Sequence, residues 1–152
     1  MKIVVLVILY LFTNALGFSQ SPEEQVKKAI TIFFKGFHAK DSLMMKQVVA
    51  DHVVVQTTSV TQEGKTLFKT EDIHTLYKNI ASIPAKVEFK EELTNFSIQV
   101  DRTMANAWVD YTFFLNKEFS HCGVNSFQLI NFDGNWKIIY LIDTRGKEGC
   151  EN

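Results

Sequence analysis

The chain has 152 residues, 46% of them hydrophobic and 22% charged, with 7 glycines and 2 prolines. That size and balance predict one domain and exclude a disordered chain, a collagen-like repeat and a low-complexity linker. The 13 phenylalanines supply bulky material for a single core, and a formal net charge of −1 leaves no basic surplus for nucleic acid, which is not expected as a partner.

Residues 1–19 read as a cleaved secretory signal. Met1-Lys2 gives a short positive start, and Ile3 to Phe12 is an unbroken apolar run. Such a run is too short to span a bilayer, which takes about 20 residues. Small Gly17 and Ser19 then occupy the positions a signal peptidase reads. The other readings of this stretch are an uncleaved anchor and a buried N-terminal strand. Cleavage after Ser19 leaves residues 20–152 as one domain, exported to the periplasm or beyond and without membrane contact. In that oxidising setting Cys122 and Cys150 are expected to pair, the alternative being two free thiols.

Ser21-Pro22-Glu23-Glu24 predicts a helix start, with Ser21 as cap, Pro22 at the first position and Glu24 closing a capping box. Val26, Ile30, Phe33, Phe34 and Phe37 follow at helical spacing, with an end expected near His38. Asp41 can cap a short second helix carrying Leu43, Met44 and Val48. Val53 to Thr58 is β-branched and reads as a strand, turned at Glu63-Gly64 onto Lys65–Lys69. Thr70 is the expected cap of a third helix bearing Ile73, Leu76, Tyr77 and Ile80, which Ile83-Pro84 stops.

From Ala85 onward the chain reads as strand. Turns are expected at Asp101-Arg102, at Lys117-Glu118 and, most strongly, at Asp133-Gly134. Helices first and long antiparallel strands last make an α+β fold. Strict alternation puts Trp108, Phe114, Phe127, Ile138, Tyr140 and Ile142 on one face. Val109, Tyr111, Phe113, Leu115, Val124, Ile130, Ile139 and Leu141 fall on the other. Two apolar faces predict a homodimer through the sheet, with Tyr111 and Leu115 near its centre.

The element order resembles the nuclear-transport-factor-2-like superfamily over roughly Glu23 to Arg145. The stretches carrying the resemblance are Asp133-Gly134-Asn135-Trp136-Lys137-Ile138, His121-Cys122-Gly123-Val124-Asn125 and Ile142-Asp143-Thr144-Arg145. The likeness is closest to its exported bacterial branch, the SnoaL-like and lumazine-binding-like proteins. The resemblance implies a cone: a curved antiparallel sheet wrapped around three helices from the N-terminal half, with a pocket inside and common dimerisation through the sheet. It does not imply one activity, because the superfamily holds isomerases, dehydratases, epoxide hydrolases and non-catalytic binders. Departures are visible. The first helix has no tyrosine where the isomerase type has a donor, and the only arginines are Arg102, in an expected turn, and Arg145.

If Lys117-Glu118 and Asp133-Gly134 are both two-residue turns, Asp110 lies across from Asn125, Phe114 from His121, Tyr140 from Phe127 and Thr144 from Gly123. One face then gathers Asp110, Thr112, His121, Asn125, Tyr140 and Thr144 above Trp108, Phe127 and Ile138. This is an apolar wall with a few convergent polar groups, the usual make-up of a small-molecule site. A one-residue change in either loop would move the set to the opposite face. Within it His121 and Asp110 are the candidate acid–base pair; the alternative is a rim histidine and a carboxylate that caps a neighbouring hydroxyl. Asp143 and Arg145 fall outside the set and are expected to pair with each other or with a partner subunit.

The scattered histidines 38, 52, 74 and 121 lack metal-ligand spacing, so neither metal nor cofactor is expected. Two functions remain open: an exported protein that binds a small, mostly apolar molecule or acts as a scaffold, and a cofactor-independent isomerase or dehydratase. A plugged interaction module is a third reading.

Overall fold

A computed structural model describes residues 20–150, so the expected signal segment lies outside the described residues. Helix α1 (Pro22–Ala39) begins as its sequence directs. The Ser21 side chain accepts from the Glu24 N–H, and the Glu24 carboxylate accepts from the Ser21 N–H, satisfying donors that a helix start leaves unpaired. Lys40, in the left-handed region at φ 57°, ends it. Asp41 caps α2 (Ser42–Lys46) through its carboxylate.

Strand β1 (Val49–Val60) turns onto β2 (Thr66–Glu71), which runs far enough that Asp72, not Thr70, caps α3 (Ile73–Ser82). An aspartate there accepts the Thr75 N–H at 2.8 Å. Four long strands complete the chain: β3 (Phe89–Asp101), β4 (Met104–Leu115), β5 (Glu118–Phe132) and β6 (Asn135–Arg145).

The six strands form one sheet in the order β2-β1-β6-β5-β4-β3. All neighbours are antiparallel except β1 and β6, whose parallel pairing joins the first hairpin to the end of the chain. The helices cover one face. Val26 and Ile30 of α1 are fully buried against Ala105, Ala107, Val109, Phe127, Leu129 and Ile138 of the inner face. The expected α+β cone is therefore the fold observed.

The two faces are not those of strict alternation. The β4–β5 turn is Asn116-Lys117, both at positive φ (51° and 71°), and Ser120 bulges out of β5 between Phe119 and His121. Together these shifts set Val109, not Asp110, opposite Asn125 and Phe113, not Phe114, opposite His121. The Asp133-Gly134 hairpin forms as expected, with Phe132 opposite Asn135. Ile139 then bulges from β6, so Tyr140 faces Gln128 and Asp143 faces Asn125. Each extra residue inverts every side chain beyond it. Val109, Tyr111, Phe113 and Leu141 thus share the inner face with Phe127 and Ile138. Trp108, Phe114, Val124, Ile130, Tyr140 and Ile142 face outward. Tyr111 is 3% exposed, which removes it from the expected dimer surface, whereas Trp108 is 54% exposed.

Candidate functional site

Between the helices and the inner face, toward the C-terminal end of α1, lies a cavity of about 400 Å³. Its apolar wall is Phe33, Phe34 and Phe37 of α1, Leu76 and Ile80 of α3, Ile83 beyond it, and Val55 and Leu141 of the sheet. Its polar wall is Glu91, Tyr111, His121, Asn125, Asp143 and Arg145, with Thr57 and Glu71 beside them. A wider depression of about 600 Å³ runs along Phe89, Lys90 and Phe114 at the sheet edge, but its charged groups are solvated surface side chains rather than buried ones.

The polar wall consists of two bonded groups that meet where Asn125 lies opposite Asp143. Asn125 is 3% exposed and donates its Nδ2 hydrogen to Glu91 Oε1 at 2.6 Å. Asp143, opposite Asn125 on β6, accepts from Arg145 Nε at 2.7 Å. The Asp143 side chain is 14% exposed and that of Arg145 is 54% exposed, so the pair sits at the mouth with its carboxylate inward. The Tyr111 hydroxyl donates to the Thr144 carbonyl at 2.7 Å and lies 3.4 Å from Asp143 Oδ2. This approach depends on Gly123, since a Cβ there would stand 1.9 Å from the Thr144 carbonyl oxygen. His121 stacks on Phe113 with centroids 4.8 Å apart and meets the Tyr111 ring edge-on. On the far side, the Glu91 N–H, at the free edge of β3, donates to His38 Nε2 at 2.9 Å, so α1 holds the residue from behind.

Burial sets the protonation states. It raises the Glu91 carboxyl, helped by the Asp143 charge and opposed by the Asn125 hydrogen bond and Arg145, to about 7. Burial, with Asp143 and Glu91 adding to it, lifts the Tyr111 phenol far above its usual range. His121 is held below the usual histidine value by burial and by Arg145, with Asp143 working the other way. His38 is lowered by burial and by Lys90. At neutral pH the cavity therefore holds a neutral His121, a neutral tyrosine, an ion pair and a carboxyl near its midpoint, with a neutral His38 behind that carboxyl.

Of the residues expected to form the site, His121 and Asn125 reach the cavity. Phe127 lies on the same face but is fully buried, packed edge-on against Phe34. Trp108, Asp110, Tyr140 and Thr144 are on the outer face. Asp110 accepts from Asn95 Nδ2 at 3.0 Å, Tyr140 donates to Gln56 Oε1, and the Thr144 hydroxyl accepts the Val124 N–H. Asp110 and Thr144 do meet, in an outer depression beside the Cys122–Cys150 disulfide. The proposed His121–Asp110 pair is thus split by the sheet, and the carboxyl on the cavity side is Glu91. Tyr111, Asp143 and Arg145 join it, Asp143 and Arg145 paired with each other as expected. Two bulges with no sequence signature hid this set. A lone glutamate at an apolar alternation position of β3 was its one available signal.

The expected bridge between Cys122 and Cys150 is present, with Cα atoms 5.8 Å apart. It straps the tail after Arg145 onto β5, where Cys122 and Gly146 also exchange backbone hydrogen bonds. Among the described residues no group of His, Cys, Asp and Glu is arranged to hold a metal ion, and no helix is long and apolar enough to cross a membrane.

No protein-family profile matches the sequence, and no curated protein matches it. Solved structures do match in shape. An NTF2-like protein from Cytophaga hutchinsonii aligns at a TM-score of 0.66 and 13% identity, covering 84% of this chain and 100% of the other. An NTF2-like protein of unknown function from Shewanella baltica aligns at 0.60 and 15% identity, covering 86% and 100%. A protein from Streptomyces avermitilis, provisionally assigned as a dehydratase of the NTF2-like family, aligns at 0.58 and 16%, covering 81% and 94%. Identities this low speak to architecture alone: the chain shares the fold of these NTF2-like proteins.

Proposed function

We propose that the protein binds a small, mostly apolar molecule in the cavity between its helices and sheet. The observation that carries this reading is the cavity itself: about 400 Å³, walled by aromatic and aliphatic side chains, with one convergent polar patch at Glu91, Asn125, Asp143 and Arg145. That volume and lining suit a ligand of roughly drug-fragment size. Native mass spectrometry of the protein isolated from its own host tests it. A bound small molecule is expected, and Leu76→Trp, which fills the cavity from α3, should lose it while keeping the melting temperature. A chain that carries nothing and takes up no apolar probe would overturn the reading.

We further propose that the protein works outside the cytoplasm as a homodimer. The disulfide supports an oxidising compartment. The outward Trp108, Met104 and Phe132, each more than half exposed, support a subunit contact on the outer face. N-terminal sequencing of the exported product and sedimentation at micromolar concentration test the two statements.

One observation favours an enzymatic reading beside the binding one. Glu91 has a midpoint near neutrality in an apolar cavity, next to a tyrosine and an asparagine, which is the setting of a general acid–base of the isomerase or dehydratase kind. That activity would show a pH–rate limb near 7 that Glu91→Gln abolishes. A rate limb that survives the substitution would exclude it.

A further inference from the structure

We infer, resting on the binding role above, that the ligand is an organic ammonium: a compact apolar body bearing one protonated amine. The polar wall is an ordered row. Thr57 of β1 lies opposite Asp143 of β6, Asp143 opposite Asn125 of β5, and Asn125 is bonded to Glu91 of β3. Arg145 neutralises Asp143. Glu71, which also lines the cavity, is held by the Asn79 amide and, at 3.9 Å, by an exposed Lys69. The surplus charge on the walls is therefore acidic, from Glu71 and from Glu91 whenever it ionises.

Arg145, the one cationic side chain among the described lining residues, is bonded to Asp143 and offsets that surplus only in part. The groups facing Glu91 from the packed elements are His38 of α1, Tyr111 of β4, His121 and Asn125 of β5, and Asp143 and Arg145 of β6. Both histidines are pushed toward the neutral form. The Thr57 hydroxyl is buried on this wall without a hydrogen-bond partner. An ammonium has three donors and no acceptor. It can meet Glu91, or give the Thr57 oxygen at the other end of the row the hydrogen bond it lacks. A ligand carboxylate would face Glu71 and Glu91 instead. The rings of Phe33, Phe34 and Phe37 add faces that attract a cation and bury its hydrocarbon body.

Burial and Asp143 are what disfavour the Glu91 carboxylate, so an arriving cation stabilises that form and binding is coupled to loss of the Glu91 proton. With a midpoint near 7, the competent fraction changes about tenfold between pH 6 and pH 8.

Calorimetric titration with 1-adamantylammonium, 1-adamantanol and 1-adamantanecarboxylate tests the assignment, because the three share one apolar body. The ammonium should bind at least tenfold more tightly than the alcohol at pH 8. Its affinity should fall about tenfold at pH 6 while that of the alcohol stays level. Glu91→Gln should remove the preference and the pH dependence but keep alcohol binding. Should that variant fail to fold by circular dichroism, the two-pH comparison on the natural chain decides alone. Alcohol or carboxylate binding as tight as the ammonium overturns the ammonium assignment and leaves the pocket standing. If none of the three binds, and none displaces a fluorescent apolar dye, the binding role fails and this assignment with it.

Discussion

The two ends of the inner sheet face are built from the same strands and do opposite things. At the closed end, Phe127, Leu129, Val109 and Ile138 are at most 1% exposed, and α1 lies directly on them through Val26 and Ile30. Ala105 and Ala107 permit that approach, since short side chains let a helix seat close to the strands. Two residues along β5 from Phe127 the character switches to Asn125, and along β4 from Val109 it switches to Tyr111. There the side chains are long and polar, they bond one another, and the helices stand off to leave the cavity. Close packing gives stability at one end; at the other, polar groups held in a low-dielectric wall have their protonation shifted. The cone needs both, because the closed end holds the strands in the register that aims the open end.

The strongest way to break this contrast is to empty each end in turn. Phe127→Ala removes a fully buried ring that packs edge-on against Phe34. It should cost ~3–5 kcal/mol in urea unfolding, as large-to-small core changes do. Phe37→Ala, at the partly buried open end, should cost well under half of that and instead enlarge the cavity. Equal losses would show that the open end is core in disguise.

The disulfide comes next. Cys150→Ser frees a loop of 28 residues in sequence separation. On the chain-entropy account it should lower stability by ~3–4 kcal/mol. The loss should be matched by reducing the natural chain with dithiothreitol. Because Cys122 sits beside Gly123, where the Thr144 carbonyl replaces a side chain, the Tyr111 hydroxyl bond should loosen as well. Tyrosine ultraviolet difference spectra would report it.

A pH scan sharpens the contrast at the open end alone. The Glu91 carboxyl sits at about 7 in the folded chain against its ordinary 4.5. Between those values the unfolded chain has released the proton and the folded chain still holds it. Stability must therefore fall as pH rises through that window and level off above it, by an order of 2–3 kcal/mol. Glu91→Gln should flatten the slope. Chemical denaturation at pH 5 and pH 8 measures it, and a slope that persists in the variant would assign it to another group.

Much of this architecture is legible in the sequence because it is local. The Ser21–Glu24 capping box, the Asp41 cap, the Asp133-Gly134 hairpin and the Cys122–Cys150 pairing each rest on residues whose chemistry names their conformation or partner. The faces of β4, β5 and β6 are not local in that sense. They depend on Ser120 and Ile139, ordinary residues that happen to bulge, and on Lys117 adopting a left-handed turn conformation that lysine seldom signals. Each such event inverts a strand, so reading alternation straight through gathered Asp110, Tyr140 and Thr144 where Tyr111, Asp143 and Glu91 belong. The parallel β1–β6 pairing is likewise invisible, since nothing in Val53–Thr58 states which strand it will meet. Glu91 escaped notice because an acid in an apolar alternation reads as a solvated edge until a buried asparagine, two strands away, is found bonded to it.

The smallest expected effect is the most direct test of which face carries the site. Asp110→Asn touches only an outward carboxylate that accepts one hydrogen bond from the exposed Asn95. It should change stability by no more than ~0.5 kcal/mol and leave ligand affinity where it was. His121→Ala removes a ring from the cavity wall, stacked on Phe113 and edge-on to Tyr111. It should weaken binding by ~1–3 kcal/mol with little change in melting temperature, if its free ring nitrogen meets the ligand. The two residues were candidates for one acid–base pair, so the pair of variants forms a cycle. With the sheet between them the double variant should equal His121→Ala alone within ~0.3–0.5 kcal/mol. A larger coupling would place Asp110 back in the site and would mean that the bulge at Ser120 is not held in solution.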